Sequence, residues 1–119
     1  MGNIKTSLKE MMDIDGSVGV SLVDSTSGMV LGEAGGGVDM ELAAAGNSEV
    51  VKAKMATMKS LGLKDEIEDI LITLGEQYHI IRPLVKQKGL FIYMVLDKNK
   101  ANLALARRKV QNIEEAMEV

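Results

Sequence analysis

The stretch from Asp39 to Gly62 constrains the fold more than any other part of the chain. It contains no proline, is rich in Ala, Met, Lys and Glu, and is bounded by a carboxylate suited to an N-cap and a glycine suited to a C-cap. These features predict one long helix. At about 100° per residue, Met40, Ala44, Asn47, Val51, Lys54, Met55 and Met58 fall on one face, and Ala43, Val50 and Leu61 widen it. Glu41, Glu49, Lys52 and Lys59 fall opposite. The apolar arc is broader than covering one sheet requires, and two polar residues, Asn47 and Lys54, interrupt it.

Strand-forming segments flank the helix on both sides. Ahead of it, Val18 to Val23 and Met29 to Leu31 read as a hairpin around the turn formers Asp24-Ser25-Thr26-Ser27-Gly28, and Gly35-Gly36-Gly37 forms a flexible exit. Behind it, Glu66 to Leu74, Gln77 to Leu84 and Leu90 to Asp97 read as a meander, with turns at Gly75-Glu76 and Lys86-Gln87-Lys88-Gly89. Proline cannot donate to a ladder, so pairing is expected to fail at Arg82-Pro83. Ile4, Leu8 and Met11, with Met12 adjoining, predict a short opening helix that stops near Asp15-Gly16. Asp97 or Asn99 is expected to cap a final helix, with Leu103, Ala106, Val110, Ile113 and Met117 as its apolar stripe. The order is α-β-β-α-β-β-β-α. Tight turns make the sheet mostly antiparallel, and only the long helix can carry the chain from the hairpin to the meander.

A length of 119 residues suits one domain, residues 1–119, sharing one core. With no cysteine, disulfides, thiolate zinc sites and thiol nucleophiles are excluded. A net charge of −3 gives no global attraction to nucleic acid or anionic lipid. The longest apolar run, Leu90 to Leu96, falls far short of the ~20 residues a membrane helix needs. The reading is therefore cytoplasmic, with no membrane and no nucleic-acid partner. Met1-Gly2-Asn3-Ile4-Lys5-Thr6 matches the loose N-myristoylation pattern, although an ordinary helix start explains it as well.

The element order and its contents resemble the Roadblock family of dynein light chains, bacterial type. The resemblance spans nearly the whole chain. It lies in an opening helix ending at Ile14-Asp15-Gly16, in Gly19-Val20-Ser21-Leu22-Val23-Asp24 and Ser27-Gly28, and in Asp69-Ile70-Leu71-Ile72-Thr73. It continues through Tyr78-His79-Ile80-Ile81-Arg82-Pro83-Leu84, Leu90-Phe91-Ile92-Tyr93-Met94-Val95-Leu96-Asp97 and Asn102-Leu103-Ala104-Leu105-Ala106-Arg107. It implies an α+β, Roadblock/profilin-like fold: a five-stranded antiparallel sheet with the long helix on one face and the two terminal helices on the other. It also implies dimers formed through the long helix and the adjacent edge strand, and, for bacterial relatives, association with Ras-like GTPases.

Other chemistries fit less well. Gly32, Gly35, Gly36 and Gly37 precede a helix N-terminus, where backbone N–H groups favour anions, but Asp39 and Glu41 stand where a Walker loop needs Gly-Lys-Ser/Thr. His79 could be drawn into a triad with Ser25, Ser27, Asp24 and Asp97, yet no nucleophile elbow supports it, and a strand histidine in a packing or surface role is the simpler reading. Asp65, Glu66, Glu68 and Asp69 lack EF-hand spacing and read as charges guarding an edge strand. Lys98, Lys100, Arg107, Arg108 and Lys109 scatter around the polar arc of the last helix and read as a solvated face.

The expectation is thus a non-catalytic homodimeric scaffold or regulator of a small GTPase, without metal or cofactor. Its predicted subunit contact comprises Met40, Ala43, Ala44, Asn47, Val50, Val51, Lys54, Met55 and Met58 of the long helix with Ile70, Leu71 and Ile72 of the edge strand. Asn47 would set register across the two-fold axis, and Glu66 to Leu74 would pair antiparallel with its copy near Ile70 and Leu71. Two alternatives are a small-ligand sensor of profilin-like shape and, third, an enzyme. The aliphatic, Met-rich core positions favour packing over a cavity.

Overall fold

The computed structural model describes residues 3–118. The match to the myristoylation pattern falls partly on Met1 and Gly2, which lie outside the described residues. The elements are α1 (Ile4–Met12), β1 (Ser17–Asp24), β2 (Met29–Gly35), α2 (Met40–Ser60), β3 (Ile70–Thr73), β4 (Gln77–Pro83), β5 (Leu90–Asp97) and α3 (Leu103–Ala116). The strands form one antiparallel sheet in the order β2-β1-β5-β4-β3. The expected element order and architecture are therefore observed.

Alternation along the strands sorts the core into two layers. Val20, Leu22, Ile80, Ile92, Met94 and Leu96 point to one face, where Leu8 and Met11 of α1 and Ala106 and Val110 of α3 cover them. Val23, Ile81, Phe91, Tyr93 and Val95 point to the other, under Met40, Ala44 and Val51 of α2. Each fully buried aliphatic side chain contributes about 1.5–3 kcal/mol, so the two layers carry most of the stability.

Several boundaries differ from the sequence-based expectation, each for a physical reason. β2 runs on to Gly35, because its backbone pairs with β1 as far as Gly19. Gly35 is packed rather than flexible: its φ is 72°, and a Cβ there would lie 2.5 Å from the Val18 carbonyl. At Pro83 the ladder toward β5 continues, with Pro83 opposite Phe91 and Leu84 N–H bonded to the Leu90 carbonyl at 2.9 Å. Successive N–H groups alternate sides, so the donor that Pro83 lacks faces β3. This explains why β3 begins only at Ile70, opposite Ile81, rather than at Glu66. Asn102, not Asp97 or Asn99, caps α3, accepting from Leu105 N–H at 3.1 Å. Asp97 instead holds a turn through Asn99 N–H at 2.9 Å.

Inside the α3 layer sits an ion pair that the apolar-stripe reading missed. Arg82 and Glu114 are 8% and 5% exposed and bonded to each other, and the second Glu114 oxygen accepts from Val85 N–H at 3.3 Å. Removing one partner strands a buried charge. Glu114→Ala is therefore expected to cost about 3–5 kcal/mol in denaturant unfolding, while the double variant Arg82→Leu/Glu114→Leu, which removes both charges, should lose clearly less.

Candidate interaction surface

α2 is longer than its footing on the sheet. Its fully buried residues are Met40, Ala44, Ser48 and Val51, spaced at four, four and three positions on one stripe. That stripe spans about 17 Å of helix at 1.5 Å per residue. From Lys52 to Ser60 every residue is exposed except Met58, which is half-buried. The helix ends in a Schellman motif: Gly62 adopts a φ of 73°, its N–H bonds to Lys59, and Leu63 N–H bonds back to Met58 at 2.9 Å.

This geometry divides the residues predicted for a subunit contact. Met40, Ala44 and Val51 are 5%, 0% and 2% exposed and packed on the chain's own sheet, so their assignment to a contact with a second copy is corrected. The centre of the apolar arc is consumed by the fold. Asn47 is half-buried beside Tyr93. Lys54 is exposed, not an interruption in a buried arc. Leu71 packs into the α1 and α3 layer, and Ile70 and Ile72 pack under α2, all three only half-buried. Val50 and Met55 stand 37% and 49% exposed, and Ala43 and Met58 are half-buried.

What remains open is a continuous strip along the β3 side of α2. A concavity of about 510 Å³ between helix and strand is lined by Val50, Lys54, Met58, Leu63, Ile67 and Ile70, with the Asp65 to Asp69 acids along its rim. An adjoining cleft of about 340 Å³ runs from Met55, Met58 and Leu63 to Pro83, Leu84 and Val85. Leu63 and Val85 are 52% and 71% exposed, contributions that residue-by-residue reading of the helix did not single out, and Leu61, which that reading placed at the margin of the arc, is 65% exposed. The strip meets the outer edge of β3, which no strand covers among the described residues. Exposed apolar residues contiguous with an unpaired strand edge are what an interaction surface offers.

Between the sheet and α2 lies a short polar relay. His79 Nε2 is 2.9 Å from Gln77 Oε1, and its Nδ1 is 3.0 Å from the Tyr93 hydroxyl. Gln77 Oε1 only accepts, so the neutral ring carries its proton on Nε2 and Nδ1 accepts from Tyr93. Burial pushes the Tyr93 phenol pKa up, and the neighbouring Asn47 side chain acts in the opposite direction. His79 is held below its ordinary value of 6.5 by desolvation. The relay orients side chains between sheet and helix, and no serine or carboxylate joins it to make a triad.

The other sequence candidates do not converge. Ser25 bonds the Gly89 carbonyl at 2.7 Å, and Ser27 accepts from Met29 N–H at 3.3 Å, both in turns away from His79. Asp39 caps α2 through Leu42 N–H at 3.1 Å. Of the acids before β3, Asp69 is held by Arg107 in a bidentate pair at 2.8 Å, so neither the guarding charges nor the helix face is simply solvated. Among the described residues no group of three or more His, Asp or Glu could hold a metal, and no helix is long and apolar enough to cross a membrane.

No protein-family model matches the sequence, and no curated protein does either. Solved structures do match the fold. A Roadblock/LC7 domain from Streptomyces avermitilis superposes with a TM-score of 0.82 at 10% identity, covering 97% of this chain and 94% of that one. MglB of Myxococcus xanthus gives 0.75 at 17% identity over 93% and 85% of the two chains. An MglB with a tetrameric arrangement gives 0.78 at 18%, over 92% and 81%. The chain has the Roadblock/LC7 fold.

The relay makes a pH prediction. A histidine with a lowered pKa binds more protons unfolded than folded, so its contribution is fully present above 6.5 and is lost as pH falls from there toward the folded value. Denaturant midpoints should therefore drop between about pH 7 and pH 5, and His79→Gln should flatten that part of the profile.

Proposed function

We propose that this chain is a binding module that pairs with a second copy along the β3 side of α2 and the open β3 edge, and that the pair acts as a scaffold or regulator of a small Ras-like GTPase. The observation that carries this reading is the placement of Val50, Met55, Met58 and Leu63, exposed or half-buried, beside an uncovered strand edge. Relative to the sequence-based expectation the seam shifts around the helix, away from Met40, Ala44 and Val51 and toward Ala43, Val50 and Lys54, with Gly46 and Ala53 as further exposed small residues on that flank.

Two supports come from likeness. One neighbour of the same fold is described as tetrameric, which favours self-association on this scaffold. The Roadblock resemblance favours a Ras-like GTPase as partner. The relay residues serve packing under this reading, and the protein itself supplies no nucleophile.

The 340 Å³ cleft favours a second reading, a sensor for a small apolar ligand, because its volume lies within the about 300–1,000 Å³ range of ligand sites. A mutation on the seam separates the two. Val50→Asp adds a carboxylate on the exposed flank without entering the core, and burying two copies of it costs several kcal/mol against the about 8 kcal/mol that holds a micromolar dimer. Light scattering should show about twice the chain mass for the wild type and the single mass for Val50→Asp, with loss of binding to a Ras-like GTPase in a pull-down. Arg108→Glu on α3 should lose neither. A wild-type monomer would favour the sensor.

A further inference from the structure

The segment from Lys64 to Asp69 joins α2 to β3 with almost no main-chain support. Among the described residues, Leu63 N–H bonds to Met58, the next ladder contact is Ile70 opposite Ile81, and between them the main chain donates only Glu66 N–H to the adjacent Asp65 carboxylate at 2.8 Å. β3 has four residues, and Pro83 denies it the next donor on β4. Such a short edge strand is poorly fixed at its start by backbone bonds alone.

One side-chain contact fixes it. Asp69, immediately before β3, has its carboxylate only 6% exposed, and both oxygens accept from Arg107, Nε and Nη2, at 2.8 Å each. Arg107 belongs to α3, and by strand alternation Asp69 shares the face of Leu71, which packs into the α3 layer, so the pair ties the start of β3 to α3 on the face away from α2. A second ion pair on the segment, Glu66 with Lys88 at 3.9 Å, has both side chains well exposed and contributes little. A bidentate guanidinium–carboxylate pair fixes orientation as well as distance, which an ammonium does not.

We infer that the Arg107–Asp69 pair is a clasp through which α3 positions the free edge of β3 for pairing with a second copy. Arg107 is a positioning residue that does not itself belong to the seam. The inference deepens the proposed self-association and rests on it for its assembly consequence, while the fixing of β3 stands on the single chain.

Two measurements on the full chain separate these. Hydrogen exchange of the Ile70–Thr73 amides reads the clasp, and sedimentation equilibrium reads assembly. Arg107→Ala and Asp69→Asn should each speed exchange in β3 about tenfold or more, leave β1 and β5 amides unchanged, and weaken association about tenfold. The reversal Arg107→Asp/Asp69→Arg should recover both in part, and Arg108→Ala should change neither. Arg107→Lys should recover less than the reversal, because it loses the fork. Unchanged β3 exchange in Arg107→Ala, or an equal effect from Arg108→Ala, overturns the clasp. Faster exchange with unchanged association overturns its role in assembly. A wild type that is monomeric at all concentrations refutes the self-association reading, and the exchange data still decide the clasp.

Discussion

The arrangement depends on a strand buried on both faces. Phe91 to Leu96 of β5 are each 2% exposed or less, with the Phe91, Tyr93 and Val95 side chains on one face and Ile92, Met94 and Leu96 on the other. A strand of that kind sits stably only inside a three-layer sandwich, because either uncovered face would present a row of large apolar groups to water. β1 and β4 flank it in the ladder, and the helices divide accordingly: the two terminal ones on one side, the long one on the other. Everything peripheral, including the short β3, is hung on this centre.

The division of labour is unequal. α1 and α3 together cover one face, and α3 also brings a buried carboxylate to Arg82 and a guanidinium to Asp69. α2 covers the other face alone, using little more than the first half of its length. The remainder projects past Val51 with apolar residues still on it, and the chain returns to β3 through a segment with few bonds of its own. Stability is thus concentrated in the centre of the sheet, while the least supported backbone lies where the exposed apolar strip and the open edge meet.

The polar residues beneath α2 fit the same picture. His79, Tyr93 and Gln77 satisfy one another in the layer between sheet and helix, so a partly buried imidazole is accommodated as a neutral ring. The fold gives these groups a structural use.

Local patterns in the sequence carried the element order, the limits of β5, the N-cap at Asp39 and the C-terminal glycine of α2, because each rests on periodicity or on the preference of one residue for one backbone state. The covering of the sheet on both faces came instead from the family resemblance. Three things local patterns could not carry. The wheel shows that Met40, Ala44, Val50, Val51 and Met55 share a broad arc, but only the position of α2 over the sheet decides that Val51 is interior and Val50 and Met55 are not. The failure of pairing at Pro83 was legible, but its side depended on which way alternate N–H groups face in the ladder, and that in turn shortened β3. The Arg82–Glu114 and Arg107–Asp69 pairs join residues 32 and 38 positions apart, a separation at which no periodicity links them. Composition and spacing determine what each segment becomes, whereas which side chains meet across layers is decided by packing, because contact over such separations is a property of the assembled sheet and helices alone.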